Sequence, residues 1–122
     1  MGNAPGTVLL VEDDEVVRDS AAEVLREEGY IVVTASNGKE ALDILTAGCQ
    51  PKAMLLDLMM PVMSGWQLLM LLDKSPTIAP GLRVVVMTAA SPGTFSNLPL
   101  PIAATLRKPF PLHELLDVLD RL

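Results

Sequence analysis

The sequence predicts an α/β fold in which helices cover both faces of a parallel sheet. Short apolar runs rich in β-branched residues alternate with segments of helical periodicity along the chain. One run, Arg83-Val84-Val85-Val86-Met87, is almost entirely apolar, which is typical of a strand buried on both of its faces. Alternating strands and helices of this kind form parallel sheets through right-handed crossovers.

The elements follow one another in five strand–helix units. The expected strands are Val8–Val11, Tyr30–Ala35, Ala53–Leu58, Arg83–Thr88 and a short one around Ala103–Leu106. The expected helices are Asp14–Glu28, Gly38–Ala47, Gly65–Leu72 and a last helix that begins at Pro111. Turn and cap residues mark the boundaries of these helices, namely Gly29, Asn37-Gly38 and Pro111.

Length and composition restrict the classes of function. The chain has 122 residues, half of them apolar, so we expect one domain over residues 1–122 with a flexible N-terminus at residues 1–6. The net charge is −6 and no run of Lys or Arg occurs, which argues against direct binding to nucleic acid or an anionic membrane. No apolar run reaches the roughly 18 residues of a spanning helix, and the N-terminus lacks a signal-peptide pattern. A cytoplasmic protein is therefore expected.

Acidic residues follow two of the expected buried strands directly. Val8–Val11 runs into Glu12-Asp13-Asp14, and Met54-Leu55-Leu56 runs into Asp57. Carboxyl ends of parallel strands meet at one edge of a sheet, so these side chains should converge. Bringing like charges to about 5 Å costs several kcal/mol at an effective dielectric near 20. A cation or a functional need must offset that cost.

Thr88 and Lys108 also fall at strand ends, which completes a set of five with Asp13, Asp14 and Asp57. Carboxylates are the hard oxygen ligands that Mg²⁺ prefers, and bound Mg²⁺ keeps positions for phosphoryl oxygens. Asp57 is placed to act as a nucleophile that forms an aspartyl phosphate. Lys108 would offset the new charge, and the Thr88 hydroxyl would donate to a phosphoryl oxygen. The set predicts a phosphoryl site.

Each of these residues also has a simpler interpretation. Asp13 and Asp14 are good N-cap residues for the first helix. Thr88 suits any strand, and Lys108 suits a solvated turn. Glu12 is expected to line the pocket or face solvent rather than to be the primary metal ligand. The coincidence of all five positions favours the phosphoryl site.

Four segments of the sequence match a known family. They are Val8–Glu15, Leu55–Pro61 with Gly65 eight residues past Asp57, Val86–Ala89 and Lys108-Pro109-Phe110. In these segments the chain resembles the response-regulator receiver domains of two-component signalling. The resemblance implies a flavodoxin-like (βα)5 doubly wound sheet of five parallel strands in the order 2-1-3-4-5.

The resemblance also implies the roles of individual residues. Asp57 resembles the phosphoacceptor, and Asp13 and Asp14 resemble the acidic Mg²⁺ pair, one binding directly and one through water. The backbone carbonyl of Met59 would complete the protein ligands. Thr88 resembles the hydroxyl residue that moves toward the phosphoryl group. Lys108 resembles the cation that contacts this group, and the resemblance implies a cis bond between Lys108 and Pro109.

The partners implied are a sensor histidine kinase or a histidine phosphotransfer domain, whose phosphohistidine would supply the phosphoryl group. Output would pass to a protein partner, either from a stand-alone domain or within a longer regulator or hybrid kinase. Two alternatives stay open. A degenerate receiver would bind proteins independently of phosphorylation, although its five positions are intact. A small phosphatase with an Asp nucleophile would normally have an Asp two residues later, where this chain has Met59.

Three departures from the family pattern lead to further predictions. Pro99 and Pro101 confine any fourth helix to Ser91–Leu98, so that helix should be short, mobile or absent. Receivers commonly carry a switching aromatic residue at the position of Thr105, and Phe95 is a candidate to replace that ring. We expect phosphorylation to be read out by the ordering of Ser91–Leu98 rather than by a movement of a ring. Neither Met59 nor Ala90 can orient a water, which predicts slow autodephosphorylation.

Overall fold

The computed structural model describes residues 6–89, 98–99 and 101–122. In this part of the chain, strands and helices alternate as expected. The strands are β1 (Thr7–Val11), β2 (Ile31–Ala35), β3 (Ala53–Asp57), β4 (Arg83–Thr88) and β5 (Ala104–Arg107), and the helices are α1 (Glu15–Glu27), α2 (Gly38–Thr46), α3 (Gly65–Lys74) and α4 (Leu112–Asp120). The largest difference from the expected bounds is at the end of α3, which continues past Leu72 to Lys74.

The five strands form one parallel sheet in the order β2-β1-β3-β4-β5, as the resemblance implied. The order reverses between β1 and β3, which pair with Val11 opposite Leu56. Asp57 at the end of β3 lies opposite Met87 of β4. A sheet of this topology has a crevice at the carboxyl ends of the strands where the order reverses. The register therefore brings the end of β1 and the end of β3 side by side.

Two apolar layers bury the central strands on both faces. One layer packs α1 and α4 against the sheet, and its largest members include Leu10, Leu55, Met87, Leu25 and Leu115. The other layer packs α2 and α3, and it includes Leu9, Met54, Leu56, Leu45 and Leu68. Because successive strand residues point to opposite layers, the central strands must be apolar at every position. This explains the uninterrupted apolar runs in the sequence.

Side-chain caps determine where the first three helices begin. Asp14 is the N-cap of α1, and Asn37 is the N-cap of α2. Ser64 and Gln67 form a reciprocal capping box at the start of α3. Because α1 and α3 begin just beyond the ends of β1 and β3, these caps also determine the path of the chain around the crevice.

Some expectations concern residues outside the described ranges. The short or absent fourth helix and the substitute ring of Phe95 fall on residues 91–97, which are not among the residues described, and most of the N-terminal segment 1–6 is likewise outside them. Thr105 is exposed on β5. No helix within the described ranges has the length and apolar character required to cross a bilayer.

Candidate functional site

The buried polar side chains of the described residues are found at the carboxyl ends of neighbouring strands. They are Glu12, Asp57 and Thr88, with 0%, 5% and 7% exposure. Glu12 directly follows β1, Asp57 ends β3 and Thr88 ends β4. Burying a charged group is unfavourable unless it is paired or hydrogen-bonded. Their concentration at one edge therefore marks this edge as the candidate site.

Lys108 connects the two buried carboxylates. Its ammonium group forms an ion pair with Oε1 of Glu12, and it donates a hydrogen bond to Oδ2 of Asp57 at 3.1 Å. The backbone N–H of Lys108 donates to the carbonyl of Thr88 at 2.8 Å, which holds the lysine beside the end of β4. The expected cis bond between Lys108 and Pro109 is present. Lys108 thus offsets the repulsion between two buried acids.

Asp57 is hydrogen-bonded through both of its carboxylate oxygens. Besides the bond from Lys108 to Oδ2, the backbone N–H of Met59 donates to Oδ1 at 3.1 Å. Met59 is 66% exposed. The structure therefore places the Met59 backbone against the carboxylate and leaves the Met59 side chain in solvent.

Burial and charge shift the pKa values of the ion pair. Burial raises the pKa of Glu12 to about 7, although hydrogen bonds from Lys108 and from the Asp14 N–H act in the opposite direction. For Lys108, burial lowers the pKa, but the hydrogen bond to Glu12 and the charges of Asp57 and Glu12 outweigh burial and leave it raised. Lys108 is therefore a permanent cation at neutral pH, while Glu12 is close to its titration point.

A pH dependence of stability follows from Glu12. Its pKa is about 7 in the folded protein against 4.5 ordinarily, so the stability that its protonated form contributes is complete below about pH 4.5 and is lost as pH rises through about 7. In the presence of a chelator, we expect the free energy of unfolding to fall by roughly 2 to 3 kcal/mol between about pH 4.5 and pH 7 because of Glu12. Urea titrations of Glu12→Gln should lack this decline.

A matched control for this pH experiment is Glu40→Gln. The pKa of Glu40 is lowered by the hydrogen bond that its side chain accepts from the Ser36 N–H, so Glu40 titrates below the range of interest. The control should show the same decline as the wild-type protein. A decline of equal size in Glu12→Gln would contradict the assignment to Glu12.

Three carboxylates form a group that fits a divalent cation. Glu12, Asp13 and Asp57 each offer an oxygen, and these oxygens lie within 4.8 Å of one another. Glu12 and Asp57 are buried and Asp13 is exposed, so the group opens to solvent on one side. Oε1 of Glu12 is buried and faces the Lys108 ammonium group. Carboxylate oxygens are hard ligands of the kind that Mg²⁺ prefers.

Asp14 does not belong to this group. Its Oδ1 accepts hydrogen bonds from the N–H groups of Val16 at 2.9 Å and Val17 at 3.1 Å, and it caps α1. The expected pair was Asp13 and Asp14; in the structure the carboxylates of Glu12 and Asp13 lie near Asp57, whereas the carboxylate of Asp14 caps α1. A signal for this was present, because Glu12 adjoins the buried strand whereas Asp14 directly precedes the helix, where an N-cap is required.

A doubly wound sheet with buried carboxylates and a lysine at its switch point is the architecture of the receiver domains of two-component signalling. The chain belongs to this family: the model of the response regulator receiver domain matches residues 8–120. These matched residues include every residue of the site described above.

Curated relatives cover the chain almost completely. Sporulation initiation phosphotransferase F of Bacillus subtilis is 32% identical over 116 residues, which are 93% of this chain and 90% of that protein. Response regulator MprA of Mycolicibacterium vanbaalenii is 37% identical over 114 residues, which are 92% of this chain and 48% of MprA. The chain thus spans about half the length of MprA.

Solved structures show the same fold. The response regulator TrrA of Thermotoga maritima, determined in complex with Mg²⁺ and BeF, has a TM-score of 0.80 and 28% identity, and the match covers 94% of this chain and 96% of that one. The chemotaxis protein CheY4 of Vibrio cholerae has a TM-score of 0.84 and 26% identity, with the same coverage of both chains.

Proposed function

We propose that residues 1–122 form a single cytoplasmic receiver domain that accepts a phosphoryl group from a phosphohistidine onto Asp57, with Mg²⁺ bound, and signals by a change of conformation. One observation carries this proposal: Asp57 is buried, bonded to Lys108, and close to the carboxylates of Glu12 and Asp13. A receiver domain is a signalling module, so this chain would catalyse only its own phosphorylation and a slow dephosphorylation.

The transfer can be written with the residues of the site. A carboxylate oxygen of Asp57 attacks phosphorus while the bond from phosphorus to the imidazole nitrogen breaks, and that nitrogen keeps the electron pair and takes up a proton. The Lys108 ammonium group, which is bonded to Asp57, would offset charge on the phosphoryl oxygens. The Thr88 hydroxyl and the Met59 N–H would donate to those oxygens. Bound Mg²⁺ would neutralise charge on the transferring group.

The ligands proposed for Mg²⁺ are the carboxylates of Glu12, Asp13 and Asp57 and the backbone carbonyl of Met59. This set keeps Asp13 from the original prediction and replaces Asp14 with Glu12. Because Asp14 already accepts two backbone hydrogen bonds at the start of α1, its carboxylate has a structural role. The position of Glu12 supports the new assignment, since its buried carboxylate lies close to those of Asp13 and Asp57.

The ligand assignment predicts how Mg²⁺ affinity changes in three variants. Asp13→Asn and Glu12→Gln should each weaken Mg²⁺ binding at least about tenfold, because each removes an anionic oxygen. Asp14→Asn should change it by no more than about twofold, since Asn caps a helix as well as Asp does. Calorimetric titration with MgCl₂ at pH 8 measures all three. Loss of affinity in Asp14→Asn, with Glu12→Gln unaffected, would restore the original pair.

Labelling by a small acyl phosphate tests the function itself. With acetyl phosphate and Mg²⁺, the intact protein should gain the mass of one phosphoryl group, and a chelator should prevent the gain. The adduct should be released by hydroxylamine, as an acyl phosphate is. If neither acetyl phosphate nor a phosphohistidine protein labels the chain, the degenerate binding module becomes the better interpretation. Turnover of a generic phosphate ester would instead favour the phosphatase.

A sensor kinase or a histidine phosphotransfer domain is the proposed donor, and a further protein is the proposed recipient of the signal. The chain is similar to Sporulation initiation phosphotransferase F, which is named as a phosphotransferase. This similarity supports the proposed transfer of a phosphoryl group between proteins. The net charge of −6 supports the proposal that this chain does not itself bind nucleic acid.

The lifetime of the phosphorylated state should depend on Met59. Its exposed thioether side chain cannot orient a water for attack on phosphorus, whereas an amide can. Met59→Asn should therefore shorten the lifetime roughly tenfold, measured as loss of label after removal of the donor. Val62→Asn is a control on the same loop, because Val62 is 82% exposed and has a φ of 67°, which Asn tolerates. A shorter lifetime in the wild-type protein than in Met59→Asn would contradict the prediction.

A further inference from the structure

Besides the ion pair with Lys108, three hydrogen bonds hold Glu12 in place. Its N–H donates to the carbonyl of Ala35 at 3.0 Å, and its Oε2 accepts from the N–H of Asp14 at 3.2 Å. Its carbonyl accepts from Nη1 of Arg18 at 3.1 Å. These bonds leave Oε1 as the carboxylate oxygen that faces Lys108. The orientation of Glu12 is therefore determined by groups on β2 and α1.

Of these three hydrogen bonds, the one from Arg18 is donated by a side chain. Arg18 lies in α1, one turn beyond the N-cap Asp14, and its side chain is 19% exposed. Two exposed acidic side chains also interact with Arg18: Asp19, whose carboxylate is 4.0 Å from Nε, and Glu40, whose pKa the Arg18 charge helps to lower. Solvated pairs of this kind contribute little. The contact to the Glu12 carbonyl is thus the specific one.

We infer that Arg18 is a positioning residue for the magnesium site, because its guanidinium group holds the Glu12 backbone and with it the carboxylates of Glu12 and Asp13. This inference rests on the proposed function. A carbonyl that is bonded on α1 cannot rotate freely, so the peptide between Glu12 and Asp13 is oriented before a cation arrives. Groups that hold metal ligands in this way typically change metal affinity 10- to 100-fold when removed.

The sign of the effect separates positioning from simple electrostatics. Arg18 carries a positive charge near a cation site, and that charge by itself opposes Mg²⁺ binding. Removing it would tighten binding if electrostatics were its whole contribution. If Arg18 positions Glu12, its removal weakens binding despite the favourable change of charge.

Arg26 provides a matched control. It also lies in α1 and donates from its guanidinium group to a backbone carbonyl of β2, that of Val32, at 3.2 Å. Its hydrogen bond ends on β2, whereas that of Arg18 ends on Glu12 in the β1–α1 connection. Arg26→Met therefore removes the same kind of bond, from the same helix, away from the acidic group.

The experiment compares Mg²⁺ affinity by calorimetry in the wild-type protein, Arg18→Met, Arg18→Lys and Arg26→Met, with folding checked by circular dichroism. We expect about tenfold weaker binding in Arg18→Met and no more than a twofold change in Arg26→Met. Arg18→Lys should recover part of the loss, since an ammonium group can donate to the same carbonyl. In a chelator, amide exchange at Asp13 and Asp14 should be faster in Arg18→Met alone.

Unchanged or tighter binding in Arg18→Met would overturn the inference, and so would equal weakening in Arg18→Met and Arg26→Met. Labelling of the wild-type protein by acetyl phosphate tests the proposed function independently of the role of Arg18. If the wild-type protein is labelled while Arg18→Met binds Mg²⁺ normally, the function stands and the role of Arg18 falls. If the wild-type protein binds Mg²⁺ but is not labelled, the function falls while the affinities still decide the role of Arg18.

Discussion

Asp57→Asn should not be labelled by acetyl phosphate under conditions in which the wild-type protein gains one phosphoryl group. The amide has nearly the shape of the carboxylate, but its oxygen carries no charge and is a poor nucleophile. It can still accept the hydrogen bond that Lys108 donates at 3.1 Å, so the variant should fold. The measurement is intact mass after incubation with donor and Mg²⁺, followed by peptide mapping of any adduct.

Asp43→Asn is the control for this loss. Asp43 lies on α2 and pairs with Lys39 at 3.1 Å, and its side chain is 63% exposed, so its removal changes the same charge without touching the site. This variant should be labelled as fast as the wild-type protein. An adduct that persists in Asp57→Asn and maps to Asp13 or to another acid would show that the acceptor has been misassigned.

Gly65→Ala should lower the free energy of unfolding by about 3 kcal/mol, at the upper end of what overpacking usually costs. Gly65 begins α3, and a Cβ atom there would lie 2.4 Å from the carbonyl oxygen of Asp57 and 2.9 Å from Cα of Leu58. Both atoms belong to backbone, so β3 or α3 must shift. Because the contact is with the carbonyl of Asp57 itself, labelling by acetyl phosphate should also slow.

Gly48→Ala separates this close contact from the general cost of replacing glycine. Gly48 has a φ of +109° and no heavy atom within 4 Å of the added Cβ, so its replacement causes backbone strain of about 1 to 2 kcal/mol and nothing else. Urea titration should show a loss in both variants, with the larger loss in Gly65→Ala. Labelling should slow only in Gly65→Ala. Normal labelling in that variant would mean that α3 can shift without displacing Asp57.

The expected effects of Asp57→Asn and Gly65→Ala depend on the same connection between β3 and α3. Asp57 ends β3, and the backbone N–H of Gly65 donates to the carbonyl of Leu58 at 3.1 Å. The connection after Asp57 therefore returns to the end of its own strand before α3 begins. This return places the Met59 N–H beside Asp57, and it leaves no space for a side chain at residue 65.

Much of this arrangement was predictable because strand ends are easy to locate in a buried parallel sheet. A strand covered on both faces must be apolar throughout, so the first polar residue after it marks the end. Asp57 was identified in this way, and Thr88 and Lys108 by their positions at and after expected strand ends; in the structure Asp57 and Thr88 end β3 and β4, and Lys108 directly follows β5. The strand order followed from the resemblance, because periodicity reveals strands but does not reveal their neighbours.

The same rule identifies Glu12 as the first polar residue after β1, but the acidic run continues to Asp14. Glu12, Asp13 and Asp14 are consecutive and chemically similar, and spacing alone does not say which of them turns inward. The choice depends on the backbone of the turn, where Glu12 still donates to Ala35 of β2. Asp14 has already taken the extended conformation of an N-cap, with φ −74° and ψ 114°.

By itself, the sequence determined the alternation of strands and helices, the edge of the sheet where the chemistry lies, and the candidate acceptor Asp57, because these depend on burial patterns along the chain. Tertiary structure alone revealed the ion pair between Glu12 and Lys108, the bond from Arg18 to the Glu12 carbonyl, and the lack of space for a side chain at residue 65. Each of these depends on a distance between atoms on different elements. Such distances arise only when the helices pack against the sheet.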